Sequence, residues 1–176
     1  MRDRQRLPLE QALLGLLMKE PLHGYDLHRL TKSRLGRIWY MGMGNIYNTL
    51  KRLEAASHVE SSLTPQENRP PRKVYRITRT GRQAFRDWVR QPTPNIRRLR
   101  VELLAKLYFL HTLELKGSEK LIADQRLICQ ERIEQLVHRT AECQPNDFDR
   151  LVFDFRRRQI ESIVDWLDAY QEELAS

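Results

Sequence analysis

The chain of 176 residues is long enough for one sizeable hydrophobic core or two small ones, and too short for most multidomain enzymes. Hydrophobic residues make up 40% and charged residues 31%, with 7 glycines and 8 prolines, which excludes collagen-like and low-complexity disordered proteins. Residues 1–100 contain 21 basic and 8 acidic side chains, whereas residues 101–176 contain 10 and 15. The first part is therefore the one suited to an anionic partner.

The sequence predicts a cytoplasmic protein that has no membrane segment. Glu10 and Gln11 interrupt the apolar run at residues 7–18, which distinguishes it from a secretory signal, and no stretch reaches the ~18 apolar residues of a spanning helix. Cys129 and Cys143 are the only cysteines and form no CxxC motif. We therefore expect no disulfide framework, no metal site and no cofactor.

The periodicity of the first part predicts three helices, a hairpin and a fourth helix that Thr78 or Thr80 can cap. Three helices followed by a hairpin and another helix is the element order of a winged helix-turn-helix. The predicted segments are helices at about 8–19, 23–35 and 44–57 and strands at 58–63 and 73–77.

A proline-rich linker at residues 92–95 predicts a winged helix-turn-helix domain at 1–91 and a helical domain at 96–176. The fold class expected for the whole chain is therefore mainly α, with long coiled-coil-like helices in the second domain. Breaks at Gly117 and Pro145 divide that domain into three helices. Its acidic residues, Glu102 among them, are expected on solvated helix faces.

The last helix, at residues 147–174, has apolar residues at spacings of three and four, which is typical of a coiled coil. Its length of about 42 Å is more than so small a domain can cover alone. We therefore expect a second copy of the chain as its partner. The apolar positions assigned to this dimerisation are Leu103, Leu107, Phe148, Val152, Phe155, Ile163, Leu167 and Tyr170.

The third helix has the composition of a DNA-reading helix. On a helical wheel Ile46, Leu50 and Leu53 form one apolar stripe. Asparagine can pair with adenine, and arginine and lysine can reach guanine or phosphate. Such residues occupy the opposite side of the helix, namely Asn45, Asn48, Lys51 and Arg52, with Tyr47 at the edge.

The loop of the hairpin is the predicted wing, in which Arg69, Arg72 and Lys73 surround Pro70 and Pro71. The prolines restrict the loop and lower the entropy that its basic side chains lose on docking. A basic loop by itself is also typical of a solvated surface. Directly after the third helix, however, it favours nucleic acid as the partner.

Three blocks of the first part stand at a specific joint spacing. They are Leu13 to Leu17 with Pro21, Leu22, His23, Gly24, Tyr25 and Leu27; Gly44, Ile46, Tyr47, Leu50, Leu53 and Glu54; and Arg69, Pro70, Arg72, Lys73, Val74, Tyr75, Thr78, Gly81 and Trp88. In these blocks the chain resembles the PadR family of bacterial transcriptional regulators. Asn48 stands where that family commonly has proline, and Ser57 where it commonly has glycine.

In its length and helical second part the chain resembles the longer PadR subfamily of virulence-gene activators, whose C-terminal domain mediates dimerisation. The resemblance implies a DNA-binding transcriptional regulator that acts as a homodimer. Two reading helices related by a twofold axis would recognise a pseudo-palindromic operator in double-stranded DNA. A small-molecule effector of unknown identity stays open, because the sequence contains no ligand motif.

Two other functions compete with this prediction. A winged helix that recruits a partner or senses a signal without binding DNA would tolerate apolar or acidic residues on the outer side of the third helix, where this chain has asparagine, lysine and arginine. An enzyme would need a nucleophile elbow, a phosphate loop, a metal motif or an acid–base pair, and the sequence offers none in a recognisable context.

Overall fold

The computed structural model describes residues 8–66 and 69–175. Within them the fold is mainly α-helical, as predicted. The helices are α1 (Leu9–Leu16), α2 (Gly24–Leu30), α3 (Met43–Ala55), α4 (Arg79–Arg90), α5 (Ile96–Thr112), α6 (Ser118–Glu142) and α7 (Phe148–Ala175). The strands are β1 (Leu22–His23), β2 (Val59–Gln66) and β3 (Arg69–Ile77).

The second predicted helix is shorter and less regular than expected. It ends as an α-helix at Leu30, and a π-helical turn, Thr31–Leu35, continues it. Two local side-chain hydrogen bonds accompany the change from α-helix to π-helical turn. The Thr31 hydroxyl donates to the carbonyl of His28 at 2.8 Å, and the Ser33 hydroxyl donates to the carbonyl of Leu30 at 3.3 Å. The turn leads directly into the segment before α3.

The three strands form one antiparallel sheet in the order β1, β3, β2. Strand β1, whose two residues pair with Tyr75 and Val74, was not predicted, because it is too short to show a periodic pattern. The hairpin strands are also longer than predicted and extend into the proline-rich loop. Their register shifts between Thr64 and Gln66, where Pro65 has no amide hydrogen to donate.

The end of α3 is tied to the start of α4. Ser57 has a left-handed backbone (φ 56°), and the amides of Ser57 and His58 donate to the carbonyls of Glu54 and Leu53, which is a Schellman motif. Thr78 is the N-cap of α4, since its hydroxyl accepts from the Gly81 amide at 3.0 Å and donates to the Ser57 carbonyl at 2.7 Å. This junction fixes where the wing leaves and rejoins the helices.

The chain divides into two compact units, residues 1–91 with 100–116 and residues 92–99 with 117–176. The division differs from the predicted one, because most of α5 belongs to the first unit rather than to the helical domain at 96–176. Phe85 of α4 and Phe109 of α5 pack edge to face at a centroid distance of 5.4 Å. Both rings also contact the position of Gly15, a buried residue of α1.

An ion pair is buried in the first unit. The Nζ atom of Lys106, whose side chain is 1% exposed, lies 2.9 Å from Oε1 of Glu102 and donates to the Gln91 carbonyl at 2.8 Å. The indole Nε1 of Trp88 donates to the same carboxylate oxygen at 3.1 Å. The expectation that Glu102 lies on a solvated face is therefore wrong, because its partners are one helical turn along α5 and on α4.

The second unit is built on the antiparallel pair α6 and α7. Arg126 lies opposite Asp168 at 3.2 Å, and Arg139 lies over the ring of Phe153 at 6.0 Å, so the two helices run in opposite directions. The buried side chains of the two helices include Leu121, Ile122, Cys129, Leu136, Ile160 and Leu167. No helix in the described ranges is both long enough and apolar enough to span a membrane.

Candidate nucleic-acid interface

Helix α3 has one buried and one exposed side, as the helical wheel predicts. Ile46, Leu50 and Leu53 are buried together with Thr49, which the wheel did not include. The amphipathic pattern therefore orients the helix, with its leucines in the core of the first unit. The exposed side chains are Asn45, Tyr47, Asn48, Lys51, Arg52 and Ala55.

Tyr47 is 39% exposed and has a defined support. Its ring lies against Gly24, the first residue of α2, where an added Cβ atom would be 2.6 Å from Cε1 of the tyrosine. Only glycine leaves room for the ring in this position. Gly24, from the first motif block, therefore positions the exposed ring of Tyr47, from the second block.

Arg52 does not project freely from α3. Its Nε atom donates to Oε1 of Glu10 in α1 at 2.9 Å, and its Nη2 donates to the Thr49 hydroxyl at 3.0 Å. The Arg52 and Glu10 side chains are each about two-fifths exposed, so water screens their attraction. The pair connects the outer side of α3 to α1 over 42 residues of sequence.

The wing residues occupy different environments. Arg72 and Lys73 are both exposed, but Lys73 also donates to Oε2 of Glu54 at 2.8 Å and lies 5.3 Å from the ring centroid of Tyr75. The side chain of Arg69 lies outside the described part of the structure. Because successive residues of a strand point to opposite faces, Arg72 and Lys73 lie on different sides of the wing.

Glu54 joins α3 to both wing strands. One carboxylate oxygen accepts from the hydroxyl of Ser61 in β2 and the other from the Nζ of Lys73 in β3. The bond from Lys73, followed by that from Ser61, lowers the pKa of Glu54 below its usual value of 4.5. The bond to Glu54 likewise raises the pKa of Lys73.

Neither Glu54 nor Glu10 was predicted to have a role. The sequence did contain a signal that Glu54 matters, because this residue belongs to the second motif block and follows the basic side of α3. In addition, strand alternation in the observed register places Ser61 and Lys73 on one face of the hairpin. Glu10 had no such signal, since its contact depends on how α1 and α3 pack. Among the described residues, no group of three His, Cys, Asp or Glu side chains could hold a metal ion.

The residues assigned to dimerisation fall into three groups. Leu103, Leu107 and Leu167 are buried in this chain, so they stabilise its own core and offer no surface to a second copy. Phe148 and Phe155 are exposed at one end of α7. The remaining assigned residues are half-buried, namely Val152, Ile163 and Tyr170.

Two family models match the chain in succession. Residues 13–87 match the transcriptional regulator PadR-like family, and residues 99–175 match the virulence activator alpha C-terminal region. The first match contains all of α3 and the described wing residues. The second contains α6 and α7 and nearly all of α5.

Two relatives are themselves transcriptional regulators. The negative transcriptional regulator PadR of Bacillus subtilis is 32% identical over 117 residues, which are 66% of this chain and 64% of that protein. A probable transcriptional regulator of Mycobacterium tuberculosis is 31% identical over 86 residues, 49% of this chain and 46% of that protein. The chain therefore spans less than two thirds of the length of either relative.

Solved structures of similar chains include Bacillus subtilis PadR in complex with operator DNA, at 27% identity and a TM-score of 0.49, covering 94% of this chain and 97% of that one. The PadR-like transcriptional regulator of Bacillus cereus is 24% identical, with a TM-score of 0.41 and coverage of 95% and 98%. The two consecutive matches assign a family to each part of the chain. Residues 13–87 are a PadR-like transcriptional-regulator domain, and residues 99–175 are a C-terminal region of the virulence-activator type.

Proposed function

We propose that this protein is a homodimeric transcriptional regulator that binds a pseudo-palindromic operator through α3 and the wing. The observation that carries the proposal is the exposed side of α3, where Asn45, Asn48 and Lys51 project opposite the buried leucines. Family membership and the relationship to a negative transcriptional regulator support it.

The exposed side chains of α3 have complementary roles in this proposal. Asn45 and Asn48 can each form two hydrogen bonds with adenine in the major groove, and Lys51 can reach guanine or phosphate. Ala55 is small and exposed, so it lets the helix approach the floor of the groove. Tyr47, supported by Gly24, can donate its hydroxyl to a phosphate at the edge of the groove.

The wing supplies basic groups beside the groove. Arg72 is exposed, and among the described residues no ion pair engages its guanidinium. We assign Arg72 and Arg69 to phosphate or minor-groove contacts. Arg52 and Lys73, whose charges are already matched by Glu10 and Glu54, would have to exchange these partners for DNA.

The exposed apolar residues of α7 support a dimer. Phe148, Leu151 and Phe155 follow one another at spacings of three and four residues and are 74%, 64% and 60% exposed. Contiguous apolar patches of this kind are uncommon on isolated soluble chains and mark interaction sites. A second copy of the chain, related by a twofold axis, would bury the same residues on both protomers. Leu151 therefore joins the assigned set, and the buried Leu103, Leu107 and Leu167 leave it.

Selection of bound sequences from a random duplex library tests the proposal directly. We expect an inverted repeat whose half-sites are about one helical turn, or ~34 Å, apart. If the dimer neutralises about 8 phosphates, the logarithm of the binding constant should fall against the logarithm of the salt concentration with a slope near −7. Enrichment of no sequence, with a flat salt dependence, would favour a protein-interaction or sensor module instead.

Variants of α3 link binding to named side chains. Lys51→Ala and Asn48→Ala should weaken binding to the selected duplex and leave the melting temperature unchanged, because both side chains are exposed. Lys116→Ala removes the same charge from an exposed position outside α3 and the wing, and should bind normally. Normal binding by both α3 variants would rule out this surface as the interface.

A further inference from the structure

A carboxylate lies at the edge of the basic surface proposed to bind DNA. Glu54 is on α3, and its side chain is 34% exposed beside the wing. Placed there, a negative charge repels phosphates, so simple electrostatics predicts that the protein would bind DNA better without it. The contacts of Glu54 indicate a different role.

Glu54 bonds to the hairpin at two points on separate strands. Ser61 of β2 pairs with Tyr75 of β3, and Leu63 pairs with Lys73, so Ser61 and Lys73 lie on the same face of the hairpin. The carboxylate therefore holds both strands to α3 at once, one strand through each oxygen. A carboxylate is suited to this because each of its oxygens accepts hydrogen bonds.

Lys73 is held on its other side as well. Its ammonium group lies over the face of Tyr75, a buried residue of the sheet. A phosphate would have to replace the charge-assisted bond to Glu54 and the contact with this ring. Arg72, the neighbouring residue on the opposite face, is exposed and carries no such engagement in the described structure.

We infer that Glu54 is a positioning residue that sets the angle between α3 and the wing through Ser61 and Lys73, and that Lys73 is a strut of this clamp rather than a ligand of DNA. The inference rests on the proposed function, since it concerns how two parts of one DNA-binding surface are held together. It predicts that removing the carboxylate of Glu54 weakens operator binding, whereas the loss of a negative charge alone would strengthen it.

Binding of Glu54→Ala to the selected operator and to a scrambled duplex tests the direction of this change in affinity. We expect the affinity for the selected operator to fall about tenfold, equivalent to 1.4 kcal/mol, although a negative charge has been removed. Affinity for a scrambled duplex should stay the same or rise, because non-specific binding depends on charge rather than on alignment. Tighter binding to both duplexes, with a steeper salt dependence, would overturn the inference.

Three further variants separate the clamp from a phosphate contact. Lys73→Met should weaken operator binding without changing the salt slope, and adding it to Glu54→Ala should cause little extra loss, because the partners act as one unit. A phosphate-binding lysine would instead reduce the slope by about 1 and weaken binding to both duplexes. Glu54→Gln keeps an acceptor for Lys73 and should restore part of the operator affinity.

A measurement without DNA separates this inference from the proposed function. Amide hydrogen exchange in Val59–Gln66 should be faster in Glu54→Ala than in the wild type, whereas exchange in the buried turn of α3 around Leu50 should be unchanged. Unchanged exchange in β2 would overturn the clamp even if DNA binds. If the wild type selects no operator but exchange in β2 rises in the variant, the proposed function fails and the clamp stands as a structural feature.

Discussion

The side-chain amide of Gln125 binds both backbone polar groups of Thr93. Its oxygen accepts from the Thr93 amide at 2.6 Å, and its nitrogen donates to the Thr93 carbonyl at 3.1 Å. Both residues are fully buried. A linker segment that the sequence marks only by its prolines is thus held in the second unit by one side chain of α6.

Gln125→Ala should lower the free energy of unfolding by about 2–4 kcal/mol, because it removes two buried hydrogen bonds, one to the amide and one to the carbonyl of Thr93. Chemical denaturation of the full chain measures the change. Gln130→Ala is the matched control, since this glutamine of the same helix is exposed, and its effect should stay within about 0.5 kcal/mol. Equal effects of the two variants would show that the bonds to Thr93 contribute nothing.

Ser57→Gly should stabilise the protein by about 0.5–1 kcal/mol. Serine is strained in the left-handed conformation that ends α3, and glycine, which has no Cβ atom, adopts it without steric strain. Ser62→Gly is the contrasting variant, because this exposed residue lies in the extended strand β2 and its replacement should destabilise the chain. Thermal unfolding distinguishes the two. A lower melting temperature for Ser57→Gly would contradict the interpretation.

Lys106→Met should destabilise the protein by about 3 kcal/mol, because it removes one partner of a buried ion pair and leaves the charge of Glu102 in the core. Adding Glu102→Gln should recover part of the loss, since the glutamine oxygen can still accept from Trp88 and carries no charge. Denaturant titrations of both variants measure this. A double variant less stable than Lys106→Met alone would refute it.

The difference in melting temperature between the wild type and Glu54→Gln should depend on pH. The pKa of Glu54 is lowered in the fold, chiefly by Lys73, so its ionised form stabilises the protein above pH 4.5 and loses this effect as the pH falls through the lowered value. Lys73, whose pKa is raised, contributes fully up to pH 10.5. We expect a difference of about 1–3 °C between these limits that vanishes at the acid end. A constant difference would contradict the assignment.

Local periodicity predicted most of the helices and the orientation of α3. Ile46, Leu50 and Leu53 repeat with the helical period, so the side they define has to be buried whatever it packs against. The breaks at Gly117 and Pro145 placed α6 between them, as observed, and of the two candidate caps, Thr78 and Thr80, the N-cap of α4 is Thr78. The three motif blocks also indicated the family resemblance.

Contacts between distant segments were not predictable from the sequence. The two-residue strand β1 exists because β3 offers it an edge, and α5 joins the first unit because Phe109 packs against Phe85. Neither relationship leaves a periodic signal. The ion pairs of two predicted DNA-binding side chains were unpredictable for the same reason. Composition shows that Arg52 and Lys73 are basic, but it does not show that Glu10 and Glu54 lie beside them.

The contact between Gly24 and Tyr47 affects how the target sequence of such a protein can evolve. A methyl group at position 24 would occupy the volume of the phenol ring and turn it outward, beside the side chains proposed to meet the bases. A substitution on a helix that touches no base would then change which operators are tolerated. New binding preferences can arise in this way while Asn45 and Asn48 are inherited unaltered.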